Sequence, residues 1–431
     1  MPRVRILHTS DWHLGRSFHR VDLLDAQAAY VDHLVDVVRA EQVDLVVIAG
    51  DIYDRALPSV DVVGVLDDAL CRLSGAGAVV VLASGNHDSP RRLGFGARLL
   101  DLARVHVRTD PRGCGAPVLL GGDAGPVAVY PLPYLEPAVA GPLLDDVRPD
   151  PPEDEAGTAG EAADAGEDAS GAHRPARYSH QRVLGAAMQA VRADLARRAP
   201  GTRAVVGAHA FVAGGVASES ERDISVGGVA VVPAAVFDGV HYVALGHLHG
   251  RQVVGERIRY SGSPLAYSFG EHRQVKGSWL VDLDARGTVR VETVDAPVPR
   301  PLAVLRGELE DLLRDPRHGE AERAWCQVTL TDPQRPADAM QRVRTRFRHT
   351  LQVRFDPAGG GPQGPGDFAA RLVGRDDVRI CCDFVTHVRR REPDVQELAL
   401  LREAVTAVRI ASQDGAAESA PAGPGTAEVG S

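Results

Sequence analysis

The sequence is short of everything that would mark a secreted, membrane-bound or DNA-coating protein. Its 431 residues hold five cysteines, none in CxxC spacing, which excludes a disulfide framework and a thiolate zinc module. The thiols are expected to be free and buried in a reducing cytosol. Cys71 is expected on the apolar face of a helix, and Cys381 and Cys382 on opposite faces of a strand. No apolar run approaches the length that spans a bilayer, and Met1-Pro2-Arg3-Val4-Arg5-Ile6-Leu7 enters a strand at once, without a signal-peptide core. A cytoplasmic protein with no membrane partner is the expectation. Net positive charge is lacking too. A net charge of −10 and a pI of about 5.9 exclude a surface coated with positive charge for nucleic acid, though not a local basic face. No P-loop GxxxxGK[ST] is present, so the chain carries no such signature for binding ATP itself.

What is there is an α/β pattern. The length suffices for two or three domains and a sizeable core. Val4–Leu7 reads as a strand, Asp22–Ala40 as an amphipathic helix and Val43–Ile48 as a buried parallel strand. A helix opened by Pro58-Ser59 and closed by Gly75 and Gly77 follows, then the strand Ala78–Ala83. This β-α-β-α-β alternation predicts a layered α/β domain with helices covering the sheet. Arg91–Leu102 reads as a helix. Val105–Val107, Val118–Leu120 and Val127–Tyr130 read as shorter strands in a mixed or antiparallel second half. Pro137 to about His173 has almost no large apolar residue and is expected to be a disordered acidic insertion. A helix at Ser179–Arg198 precedes strands at Ala204–Gly207, His241–Leu245, Ile258–Tyr260 and Ser278–Leu283. Val298-Pro299-Arg300-Pro301 marks a boundary. Beyond it, strand Trp325–Leu330, helix Pro336–His349 and strand Thr350–Phe355 suggest a small α+β module. The loop Gly359–Gly366, helices at Asp367–Val373 and Val395–Arg409, and a low-complexity tail from Ala411 complete the chain.

Five short segments carry chemistry. Asp11-Trp12-His13, Gly50-Asp51-Ile52-Tyr53-Asp54, Gly85-Asn86-His87-Asp88, Gly207-Ala208-His209 and Gly246-His247-Leu248-His249 each follow a strand. Ligands in open α/β sheets bind outside the carboxyl ends of strands. Two metal ions about 3.5–4 Å apart can clamp a phosphodiester during in-line displacement. Such a site needs one carboxylate that touches both ions, with imidazoles and oxygens to fill each shell. Asp11, His13, Asp51, Asn86, His209, His247 and His249 supply that inventory, with Asp51 as the bridge. Mixed nitrogen and oxygen ligation suits manganese, iron or zinc better than magnesium.

These segments, in this order, resemble the calcineurin-like metallophosphoesterases, whose pattern is D-x-H, G-D-x-x-D, G-N-H-[DE], a lone histidine, then G-H-x-H. The longer runs Asp11-Trp12-His13-Leu14-Gly15 and Ser261-Gly262-Ser263-Pro264-Leu265 are similar to the bacterial nuclease branch of that family, related to the eukaryotic and archaeal double-strand-break nucleases. The resemblance covers about Arg3 to Leu401, apart from the acidic insertion. It implies a first ion on Asp11, His13, Asp51 and His249 and a second on Asp51, Asn86, His209 and His247. It implies His87 as the catalytic histidine and general acid, oriented through a hydrogen bond to Asp88. Asp54 stands where archaeal relatives carry histidine, and is given a structural role. Two Mn²⁺ per chain are implied, acting on DNA as a 3′→5′ double-strand exonuclease and single-strand endonuclease. A dimer and a coiled-coil ATPase subunit are implied as partners. The division is then a nuclease domain at 1–297, a DNA-capping module at 298–392, a partner-binding helix at 393–410 and a disordered tail at 411–431.

Other readings stand beside these. Gly-Asp-x-x-Asp-Arg through Arg55 also looks like protein Ser/Thr phosphatases, but those continue with glycine and use Gly-Asn-His-Glu, where Ala56 and Asp88 stand here. A phosphatase or cyclic-nucleotide phosphodiesterase of the same fold is the alternative function. A non-catalytic DNA scaffold has no reason to keep the ligands. His8 is read as core, His19 as surface, and Trp12 and Tyr53 as packing. Arg342, Arg344, Arg346 and Arg348 either track phosphates or form a solvated face. Arg389-Arg390-Arg391 is either a contact for DNA or a partner, or a plain charged turn. Leu398, Leu401, Val405 and Val408 are either core or a docking stripe.

Overall fold

The structure is a computed structural model that describes residues 2–122, 124–145, 178–218, 220, 231–357, 376–389 and 391–417. It divides into two compact units, Met1–Phe355 and Asp356–Ser431. The first unit is built on two six-stranded sheets. Sheet one contains β1 (Arg3–Thr9), β2 (Leu45–Ala49), β3 (Val79–Ala83) and β4 (Val105–Arg108), all parallel. Sheet two contains β5 (Val118–Leu120), β6 (Val127–Leu132), β7 (Arg203–His209), β8 (Tyr242–Gly246), β9 (Gln252–Val253) and β10 (Ile258–Tyr260). Here β6, β7, β8 and β10 run parallel, and the two edge strands antiparallel. Sheet one is completed by β11 (Gly277–Asp284), antiparallel beside β1, and β12 (Val289–Asp295).

Alternation along each strand explains the layering. Leu7, Val46, Ile48, Val80 and Leu82 point to α1 (Leu24–Ala40) and α2 (Val60–Gly75). Their neighbours Ile6, Val47 and Val81 point the other way and meet Val129, Val205 and Ala244 of sheet two. The far face of sheet two packs on α3 (Pro137–Asp145) and α4 (His180–Ala196) through Tyr130, Val206, Leu184 and Val191. Strands buried on both faces can be apolar at every position, as β2 and β3 are. His8 lies inside this layer, as expected of a core residue. Its Nε2–H donates to the Leu245 carbonyl (3.1 Å) and Tyr242 Oη donates to Nδ1 (2.9 Å). Burial drives its pKa down to about 3, so it stays neutral.

A third, three-stranded sheet follows. β13 (Leu302–Gly307), β14 (Trp325–Leu330) and β15 (Thr350–Phe355) alternate with α5 (Leu309–Arg314) and α6 (Ala339–Arg346) around Leu305, Leu309, Val328 and Phe347. All three strands are parallel, so the module is of the α/β kind rather than the expected α+β. Trp325 stacks on Phe18 at 5.5 Å, joining the module to the loop after the first motif. Three of its alternating arginines bond within the module. Arg342 pairs with Glu310, Arg344 donates to the Thr350 carbonyl and Arg346 pairs with Glu322.

The structure corrects several expectations. Residues 137–145, read as the start of the disordered insertion, are helix α3, because Ala140 and Leu144 fall one turn apart and bury together. Arg91–Leu102 is not one helix: it breaks into Pro90–Leu93, Ala97–Leu100 and a short 3₁₀ turn, with Gly96 left-handed at φ 73°. The Pro336–His349 helix is shorter, Ala339–Arg346. Cys71 is exposed, while Cys114 and Cys326 are buried. Cys381 and Cys382 lie not on a strand but in α7 (Asp377–Arg389), where Val378, Cys381, Cys382 and Val385 recur at helical spacing and are half-buried. Helix α8 (Val395–Ala417) runs past Ala411, where a tail was expected. Leu398, Leu401 and Val405 are its half-buried positions, whereas Leu400 is exposed. The loop Gly359–Gly366, the helix expected at Asp367–Val373, and residues 146–177 and 418–431 lie outside the described residues. Among the described residues, no helix is long and apolar enough to cross a membrane.

Ile6 is fully buried between the sheets. Ile6→Ala is expected to lower stability by about 2–5 kcal/mol, read as a shift in the denaturant midpoint. A cost below about 1 kcal/mol would mean that the sheets do not close on each other as described.

Candidate metal centre

The candidate ligands stand where strands of the two sheets end. Asp11 and His13 follow β1, Asp51 follows β2 and Asn86 follows β3. His209 ends β7, and His247 and His249 follow β8. The sheets face each other, so two carboxyl edges meet as one crevice. The local backbone is unusual. Asp11 (φ 52°), His13 (43°), Asp51 (50°) and His247 (105°) are all left-handed, which costs about 1–3 kcal/mol each. Bonds between loops hold them there: Asp11 N donates to Gly50 O (3.0 Å), His13 N to Asp51 O (3.0 Å) and Leu14 N to Ile52 O (2.9 Å). The motif glycines make room. A Cβ at Gly50 would collide with the His209 imidazole, and one at Gly85 with the Asp51 carboxylate.

The side chains converge. Asp51 Oδ2 lies 3.5 Å from His13 Nε2 and 3.4 Å from His209 Nε2. His13 Nε2 is 3.1 Å from His249 Nε2, and His209 Nε2 is 2.9 Å from Asn86 Oδ1. The His247 ring is 5.2 Å from that of His209. Neighbouring ligands of one ion, bound at about 2.1 Å and near right angles, stand about 3 Å apart. The side chains of Asp11, His13 and His249, and of Asp11, Asp51 and His209, form clusters that can hold a metal ion. The remaining oxygens are restrained: Asp51 Oδ1 accepts the His87 N–H and Asp11 Oδ1 the His247 N–H, each at 2.9 Å. The donor set therefore fits divalent cations. The fully buried His13 turns Nε2 to Asp51 and His249, while its Nδ1 has no hydrogen-bond partner. His209 donates Nδ1–H to the Ala49 carbonyl (2.9 Å), which leaves Nε2 facing Asp51.

Charge is tightly coupled here. Burial alone pushes the Asp51 carboxyl up, but His209, His13 and His87 outweigh it and hold Asp51 well below the usual carboxylate range. His209 answers in kind: burial pulls it down, yet Asp51 and Asp11 raise it to about 9. Burial, and then the neighbouring His209, lower His247 to about 3. In the metal-free protein the pair is thus an imidazolium on a carboxylate, beside neutral imidazoles.

The second half of the Gly-Asn-His-Asp segment departs from expectation. Asp88 does not bond His87. Its carboxylate accepts the backbone N–H groups of Ile52 (3.1 Å), Tyr53 (2.9 Å) and Gly85 (2.8 Å), tying the Asp51 and Asn86 loops together. Burial and then the Asp51 charge raise its pKa to about 6. His87 is oriented by Asp54 instead, through its main chain: Nδ1–H donates to the Asp54 carbonyl at 2.8 Å. The Asp54 side chain comes within 3.9 Å of His13 Nδ1 and 3.8 Å of Arg16 Nε. The His87 side chain is 36% exposed, and with Asn86 it marks the open mouth of an otherwise buried site. Trp12 and Tyr53 are packed, as expected, and Arg55 is exposed. Sequence reasoning missed Gln27, which is buried in α1 and bonds the carbonyls of Trp12 and His13, and Arg16, which lies over the Tyr267 ring at 4.9 Å. It also missed Glu271 and Lys276. A polar residue on the apolar face of α1 was the available signal for Gln27.

Residues 4–128 match the family described as calcineurin-like phosphoesterase, and residues 298–370 match the SbcD C-terminal family, described as type 5 capsule protein repressor C-terminal domain. Among solved structures, GAP50, the anchor in the inner membrane complex of Plasmodium, is similar over 84% of this chain and 100% of that chain, at 10% identity and a TM-score of 0.33. That likeness is too weak to carry an argument. Residues 4–128 are thus a calcineurin-like metallophosphoesterase domain. With the SbcD-type domain that follows, the combination is consistent with the SbcD nuclease subunit.

His209 makes a pH prediction. Its pKa is raised from 6.5 to about 9, so its charge stabilises the metal-free fold in full below pH 6.5, and that contribution is lost as pH rises through about 9. A cation needs the neutral ring and must expel the proton wherever the pH lies below the upper limit of about 9. Calorimetric titration with a divalent cation at neutral pH is expected to release about one proton per chain, fading as the pH passes the upper limit. Release of no proton at neutral pH would contradict the His209–Asp51 pairing.

Proposed function

We propose that this chain is a DNA nuclease subunit that works with the ATPase subunit SbcC in DNA repair, recombination and replication, in the cytoplasm. The observation that carries the reading is the single Asp51 oxygen placed between imidazoles from both sheets. One ion would be held by Asp11, His13, Asp51 and His249, and another by Asp51, Asn86, His209 and His247, with Mn²⁺ suited to this donor set. When bound, such ions supply Lewis acidity toward a phosphoryl oxygen and lower the pKa of water.

The chain's own residues then do three things. The buried carboxylates and imidazoles exclude bulk water and would hold the cations to which the reacting phosphate is drawn. His87, at the mouth of the site with Nδ1–H anchored on Asp54 and Nε2 4.0 Å from Asp51 Oδ2, protonates the leaving oxygen or steadies the strained phosphate. Asp88 keeps the Asp51 and Asn86 loops in register. In this reading residues 1–297 are the nuclease domain, 298–392 the DNA-capping module and 393–410 the SbcC-binding helix, in a homodimer of nuclease subunits within a heterotetramer.

His87→Ala is expected to retain its metal while DNA cleavage with Mn²⁺ falls by about 10²–10⁴-fold. Cleavage at the wild-type rate would remove His87 from the mechanism. Hydrolysis of p-nitrophenyl phosphate, with none of blunt or hairpin DNA, would point to a phosphatase. Leu401→Asp is expected to abolish co-purification with SbcC and leave metal content unchanged. Undiminished co-purification would exclude that stripe as the docking surface.

A further inference from the structure

Behind His249 lies a buried ion pair with no place in the chemistry described so far. Glu271 is 1% exposed and Lys276 is 7% exposed. Lys276 is also the only lysine among the 48 basic residues of the chain; every other one is arginine. The geometry explains why lysine stands there. Nζ donates to the His249 carbonyl (2.8 Å), Ser263 Oγ (3.0 Å), Gln274 Oε1 (2.7 Å) and Glu271 Oε2 (2.5 Å). Those acceptors converge on a point. A compact ammonium meets such a cluster, whereas the longer, planar guanidinium of arginine does not.

The partner carboxylate reaches the other end of the same histidine. Ser220 Oγ donates to Glu271 Oε1 (2.6 Å) and accepts Nδ1–H of His249 (2.8 Å). Glu271 Oε1 is itself 3.5 Å from that nitrogen. The relay fixes the Nδ1–H tautomer and leaves Nε2 to face His13. Glu271 Oε2 also accepts the Tyr267 N–H (3.2 Å), and the Tyr267 ring packs edge-on against His13 (5.5 Å) and His249 (5.7 Å). Main chain, ring and neighbour of His249 are therefore all gripped by one ion pair.

We propose that the Glu271–Lys276 pair is the positioning device for His249, and sets the affinity of the ion held by Asp11, His13, Asp51 and His249 without acting on the Asn86–His209–His247 side. The proposal rests on the two-ion reading above. An outer carboxylate that orients a ligating imidazole typically changes metal affinity by about 10–100-fold when removed.

The test is titration with Mn²⁺ of the full-length wild type, Glu271→Gln and Lys276→Arg, followed by calorimetry and by electron paramagnetic resonance. In both variants one of two ions is expected to bind about 10–100-fold more weakly, the other as in wild type, and the signal to change from that of a coupled pair to that of an isolated ion. Two ions at wild-type affinity would overturn the proposal, as would equal weakening of both. Where a single variant does not fold, the double variant E271Q/K276M removes both buried charges together and carries the same test. A wild type that binds fewer than two ions would overturn the two-ion reading and this proposal together. An unchanged variant beside a two-ion wild type would overturn this proposal alone.

Discussion

The arrangement depends on the carboxylate of Asp51. One oxygen is held by the His87 N–H, and the other faces His13 and His209, which come from different sheets. An acidic group enclosed so completely is tolerated only if it is paired. In the metal-free chain the partner is the charged His209; with cations present, the same oxygen is available to them. The sandwich can therefore be seen as a device that closes two carboxyl edges over one anion.

That closure costs backbone strain, and the strain is concentrated where the ligands are. Asp11, His13, Asp51 and His247 are all left-handed, and the loops that carry them are laced to each other rather than to solvent. Asp88 belongs to this lacing, with three main-chain donors on its carboxylate. Gln27 and the Glu271–Lys276 pair do the same for the loops of His13 and His249. The inner ligands are thus held by a polar layer nearly as buried as they are, which is what fixed geometry in a metal site requires.

Much of this was legible in the chain. The strands that end before Asp51 and Asn86 announce themselves by unbroken apolar runs, because a strand covered on both faces needs no polar alternation. The helix at 137–145 was hidden because its apolar residues sit among proline, glycine and acidic neighbours, and bury only against distant elements such as sheet two and α4. Cys381 and Cys382 misled because adjacent apolar residues suit a strand as readily as a helix, and the spacing that decides it spans Val378 to Val385. The family resemblance paired Asp88 with His87, its neighbour in sequence. In space its carboxylate turns toward the main chain of a loop more than thirty residues away.

The sequence by itself determined which donor types are present, in what order, and that each stands at the end of a buried strand. Those properties follow from periodicity and turn chemistry, which act over a few residues. Only the tertiary structure decided which Asp51 oxygen faces the imidazoles, which ring nitrogen each histidine offers, and that the lone lysine lies beneath His249. Each of those depends on groups far apart in the chain, such as Asp51 with His209 or Gln27 with Tyr267. No local rule links such groups until the sheets have packed and excluded the water that would otherwise have solvated them.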